Sequence, residues 1–193
     1  MAQGHPFDAF RDLGFLTFDI ILAAALGLGA TNTTSTEQLN RLRSEEGKLT
    51  PPSDQDELFP FPEMEKPELL QIMDKITEAL AHAGTSPSPW LYHQINNLSP
   101  SMRKSTAARK TILQRFINQS SQRLDKEGED FQPHGAIDYM ISREATMAKK
   151  AGRKPVFDTP RIQEALLGYV VGGQDSTHST LSFCECLCEG GRL

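Results

Sequence analysis

Gly172, Gly173, Asp175, Ser176 and Thr177 fall within six consecutive positions near the carboxyl end of a 193-residue chain, inside a stretch that otherwise reads as an apolar helix. An interior glycine costs a helix about 1 kcal/mol relative to alanine. A helix built only for packing therefore has no use for two. A carboxylate near Val170, Val171 and Leu181 resists ionisation unless a partner or water satisfies it. Two positions without side chains let a flat ligand or a small molecule approach the backbone closely. The hydroxyls of Ser176, Thr177 and Thr180 can bond back to carbonyls four residues earlier and bend or open the helix. Asp175 beside such an opening can exchange protons with water held there. The structural alternative is a helix kink packed against a neighbour, which small residues permit.

The elements that must carry these residues are helical, because apolar positions recur at steps of three and four. Thr159-Pro160 opens the last helix, on which Ile162, Leu166, Tyr169, Gly173, Ser176 and Thr180 share a face that is bulky at one end and shallow at the other. Upstream, Phe7 to Leu26 predicts a first helix that is apolar nearly all round and so belongs in a core, ending at Gly27 to Gly29. Residues 31–68 are polar and carry Pro51, Pro52, Pro60, Pro62 and Pro67, which predicts a flexible loop without regular helix. A second helix is expected from Pro67 to Ala83 with Gly84 as its stop. A short helical stretch from Trp90 to Leu98 comes next, and Ser99-Pro100 starts a helix reaching Leu124. Ala136 to Ala151 forms another, with Lys149, Lys150 and Gly152 as its end signals. No strand pattern and no internal repeat is visible, so the expected fold is all-α.

A formal charge of −5 argues against general nucleic-acid binding. Locally, Arg103, Lys104, Arg109, Lys110, Arg115 and Arg123 lie in a stretch without any acid from Leu91 to Leu124. This reads as a solvated face balanced by acids elsewhere, in preference to a surface for anionic lipid or RNA. Leu13 to Ala30 is about long enough to span a bilayer, but Asp19 in its middle favours a buried helix. The cysteines are Cys184, Cys186 and Cys188, so no disulfide framework spans the chain. Together with His178 they could gather zinc or copper. Their alternating spacing lacks the usual two-residue gap, and free or buried cysteines are the favoured reading.

Gly172-Gly173-Gln174-Asp175-Ser176-Thr177, with its lead-in EALLGYVVGGQDST, resembles the signature of the long helix that crosses the distal side of the haem in the cytochrome P-450 family. Gly172, Gly173, Asp175 and Thr177 match position for position, and Ser176 stands where the family usually has threonine. AIDYMISREATMAKKAGRKPVFD is similar to the stretch preceding that helix in filamentous-fungal members, and FRDLGFLTFDIILAAALGLG to the helix that begins the central bundle. The resemblance runs from about Phe7 to Phe183. It implies a single incomplete helical fragment over residues 1–193, a partial P-450 helical bundle lacking the small β-sheet region and the haem-thiolate loop.

By that resemblance the cofactor is haem, held in the family by a cysteine thiolate. Gly172, Gly173 and Ser176 would border it; Asp175 would admit protons, Ser176 would steady water, and Thr177 would support both. The thiolate loop, Phe-x-x-Gly-x-x-x-Cys-x-Gly, has no counterpart here, since no cysteine follows a glycine by four positions. Glu189 and Arg192 imitate the family's Glu-x-x-Arg only by letters, in an atypical tail over residues 184–193. The implied parent is a monooxygenase that inserts one oxygen atom into an apolar substrate, with electrons from a reductase and no nucleic-acid partner. The resemblance places that parent at the endoplasmic-reticulum membrane, although no anchor is encoded here. The isolated chain is expected to be inactive. The alternative function is a non-catalytic helical interaction protein.

Overall fold

Short-range helical periodicity becomes seven α-helices among the described residues: α1 Phe10–Leu26, α2 Thr34–Ser44, α3 Glu68–Thr85, α4 Pro89–Leu98, α5 Pro100–Glu127, α6 Ala136–Lys150 and α7 Pro160–Gly190. The computed structural model describes residues 5–27, 33–62 and 64–190, of which 185–190 by backbone alone, and none of them forms a strand. The fold is all-α. It divides into two compact units, one of Met1–Ile21, Gly29–Lys66 and Gln174–Leu193, the other of Leu22–Leu28 and Pro67–Gly173.

In the first unit, α1 buries Phe15, Thr17 and Phe18. It is not covered all round, because Phe10, Leu16 and Ile20 are exposed. The Asp19 carboxylate, the feature that argued against a membrane span, accepts the backbone N–H groups of Thr34 at 2.9 Å and Ser35 at 2.7 Å. Those donors belong to the first turn of α2, where a negative charge also meets the positive end of the helix dipole. The Thr33 hydroxyl accepts from the Thr36 N–H at 3.2 Å, and Arg41 and Arg43 occupy the last turn. Thus a capped helix stands within 31–68, where the composition predicts a loop. Prolines begin only at Pro51 and exclude nothing over 34–44. No helix among the described residues is long and apolar enough to cross a membrane.

In the second unit, α3 turns Leu69, Leu70, Ile72, Met73, Ala79 and Ala83 inward. It runs through Gly84, the expected stop, because that glycine does not adopt positive φ and Ser86 takes the extended conformation before Pro87 instead. α5 and α6 pack together, with Leu113 and Ile117 of α5 buried and Ile137, Ile141 and Ala148 of α6 buried on one stripe. α4 buries none of its side chains. Gly27, at φ +66°, and Gly135 pass so closely that a Cβ on Gly135 would collide with the backbone of Leu26 and Gly27.

The approach to α7 is held by local polar contacts. Gly152, at φ +64°, ends α6. Arg153 Nη1 then donates to Glu144 Oε1 at 2.7 Å, and the Val156 N–H donates to the same oxygen at 3.3 Å. The Arg153 hydrogen bond, with the Val156 N–H behind it, draws the Glu144 carboxyl below its usual range. The Thr159 hydroxyl accepts the Ile162 N–H at 3.3 Å and Pro160 begins the helix, as its sequence predicts.

Candidate functional site

α7 remains α-helical without interruption through the glycine and hydroxyl cluster and onward to Gly190. The helix is therefore not opened there. Thr180 Oγ1 does bond back to the Ser176 carbonyl at 2.8 Å, but it does so within regular helix. The stretch 184–190, read as part of an atypical tail, continues the same helix.

Burial along α7 follows a four-residue stripe of Leu166, Val170 and Gln174. The face carrying the predicted site residues goes from covered to open: Leu166 is buried, Tyr169 is exposed, Gly173 is half-buried, and Ser176 and Thr180 are exposed. Gly172, Asp175 and Thr177 are exposed as well. No hydrogen bond or ion pair forms to the Asp175 carboxylate among the described residues. A Cβ added at Gly172 would meet nothing within 4 Å. Its lack of a side chain answers no steric demand from the described residues. One turn further on, His178 Nε2 lies 2.8 Å from the Phe10 carbonyl and its ring stacks obliquely at 4.2 Å on the Phe10 ring, so this histidine is engaged in packing.

No metal-holding group of three His, Cys, Asp or Glu occurs among the described residues. The Cys184 thiol is free and exposed, and it stands on the same helix as the cluster. The side chains of Cys186 and Cys188 lie outside the described residues.

A second polar centre escaped the sequence reading. Asp138 in the first turn of α6 is buried, and it accepts from Ser120 Oγ at 2.5 Å, Arg123 Nη2 at 2.9 Å and the His134 N–H at 2.8 Å. Burial alone would raise its pKa, but the Ser120 hydroxyl, the His134 amide and the Arg123 guanidinium together hold it below the usual carboxylate range. Arg123 also donates to the Gln132 carbonyl and lies over the Phe131 ring. The signal was present as an acid at the third helical position behind Gly135, where a carboxylate reaches back to free N–H groups. The cluster is saturated internally and ties α5, the 128–135 connection and α6 together.

No protein-family model and no solved structure matches the chain. Among characterised proteins, it is 27% identical over 183 residues to cytochrome P450 monooxygenase xilC of Penicillium rubens, covering 94% of this chain and 31% of that protein. Cytochrome P450 monooxygenase TRI13 of Fusarium sporotrichioides is 25% identical over 187 residues, 93% of this chain and 32% of its own length. A shorter match, 42% identical over 48 residues, is to the Hps1-dma1 cluster cytochrome P450 monooxygenase cyp3.1 of Dothistroma septosporum and covers 25% of this chain and 15% of that protein. The similarity to xilC and TRI13 extends over nearly every helix described above. Over nearly all of its length the chain is similar to the cytochrome P450 monooxygenases of filamentous fungi, and it spans about a third of theirs.

Proposed function

We propose that α7 is the oxygen-side wall of a haem-thiolate monooxygenase that inserts one atom of dioxygen into an apolar organic substrate, with electrons delivered by a reductase. The single observation that carries this reading is Gly172, a glycine inside unbroken helix whose missing side chain leaves open space. A helix keeps so unfavourable a residue when something outside its own packing needs the room. Haem, when bound, would supply the oxygen activation.

The chain's own residues then bind and move protons. Gly172 and Gly173 present no side chain to a flat neighbour. Asp175, whose carboxylate is exposed, exchanges protons with solvent, and Ser176 Oγ holds a water and passes the proton inward. Thr177 contributes a further hydroxyl beside them. Serine at position 176 keeps the donor and acceptor of threonine but lacks the methyl group that restricts its rotamers. Some reductant is accordingly consumed without product.

The test uses the full-length parent carrying this segment. Asp175→Asn combined with Ser176→Ala should lower product formed per reductant consumed by about 100-fold, the usual scale for losing a positioned proton carrier. Unchanged product yield would remove both residues from proton delivery. A non-catalytic interaction protein is the second reading, favoured by the exposed Trp90, Leu91, Ile95 and Leu98 of α4. A parent that forms no oxygenated product under any reductant would support that reading instead.

A further inference from the structure

We propose that the groove framed by α3, α4 and α5 binds an anionic amphiphile, a single apolar chain ending in a carboxylate. The groove encloses about 620 Å³, ample for such a molecule. Its floor is apolar: Ile72 and Ala79 are buried, Ile76 is half-buried, and Leu80 and Met102 extend the surface toward the mouth. Arg103, Arg109 and Lys110 of α5 line the same groove. Arg103 and Lys110 are seven residues apart and so lie on one face of α5.

These cations have no ready neutralisation. The chain carries no Asp or Glu between Leu91 and Leu124, and none of the three forms an ion pair among the described residues. An apolar floor beneath uncompensated positive charge matches a ligand with an apolar body and one anionic end. The body gains from leaving water, and the head gains charge-assisted hydrogen bonds. Asn96 and Asn97 of α4 add amide groups along the lining. A concave groove suits a single chain entering it, whereas a bilayer surface requires a protruding face. No residue of α7 lines the groove, so this site stands or falls separately from the oxygen-side reading.

Trp90 provides the readout, since it is the chain's single tryptophan and lies one turn before His93, which lines the groove. The full chain is titrated with sodium dodecanoate below micelle formation, and in parallel with dodecanol, dodecyltrimethylammonium, acetate and phosphatidylglycerol vesicles. We expect saturable one-to-one binding of dodecanoate, binding of dodecanol weaker by about tenfold or more, and no saturable response to acetate or the cationic amphiphile. Arg103→Glu with Lys110→Glu should weaken dodecanoate by a further tenfold or so, while Lys126→Glu, a charge reversal elsewhere on α5, should leave it unaltered. Equal affinity for acid, alcohol and cation would overturn the proposal, as would indifference to the charge reversal or a response to vesicles alone. If the double variant does not fold, the ligand series on the unaltered chain decides the matter.

Discussion

Asp138 illustrates how a single carboxylate can hold three pieces of chain. Replacing it by alanine leaves the Ser120 hydroxyl, the His134 N–H and one arm of Arg123 without their acceptor, at a cost of about 2 kcal/mol in urea unfolding. Because the folded state depresses its pKa, its contribution is complete above the ordinary value of 3.8 and fades as the pH falls through the lower folded value. The stability gap between the native chain and Asp138→Asn should therefore narrow as the pH is taken below that point. A gap that stays constant or widens on acidification would show that Asp138 is not ionised in the fold. Gly172 supports the opposite kind of prediction. With open space where its Cβ would sit, Gly172→Ala should stabilise this chain by about 0.5 to 1 kcal/mol through helix propensity alone. The same change should impair the haem-containing parent, and a destabilised isolated chain would mean that the glycine serves local packing.

At the scale of elements, helix ends matter more here than helix interiors. α2 exists where a loop is expected because Asp19 and Thr33 satisfy its first N–H groups. α7 begins at Pro160, where the Thr159 hydroxyl accepts the Ile162 N–H, and Glu144 ties the connection before it through Arg153 and Val156. The C-terminus of α1 and the N-terminus of α6 meet through Gly27 and Gly135. Gly135→Ala would drive a methyl group into the backbone of Leu26 and Gly27, and we expect a loss of about 2 kcal/mol or more in thermal or urea unfolding. Gly84→Ala, at a position with nothing around its Cβ and no positive φ, serves as the control that should not destabilise.

On the scale of the whole molecule, the partial match to longer proteins stands beside an exposed apolar surface. The chain spans about a third of the length of the relatives it matches. Phe10, Leu16 and Ile20 on α1 stand exposed in a helix whose composition is that of a core. The described cysteine thiol, Cys184, stands on α7 itself. Purified with haem and treated with reductant and carbon monoxide, the isolated chain should show no thiolate-type Soret band. Such a band would mean that one of the three carboxyl-terminal cysteines ligates iron.

Helix positions were legible in the sequence wherever a three-and-four apolar rhythm coincided with a proline start, as in α3, α5 and α7. The glycine and hydroxyl cluster was legible too, because such residues are costly in a helix. Covalent neighbours suffice for both signals. Which side of α1 would be covered, that Asp19 would cap α2, that Asp138 would collect donors from α5 and from the connection before α6, and that the acid-free stretch would border an apolar groove were all decided by tertiary structure. Each depends on groups far apart in the chain being brought within a few ångströms, and no local periodicity encodes that distance.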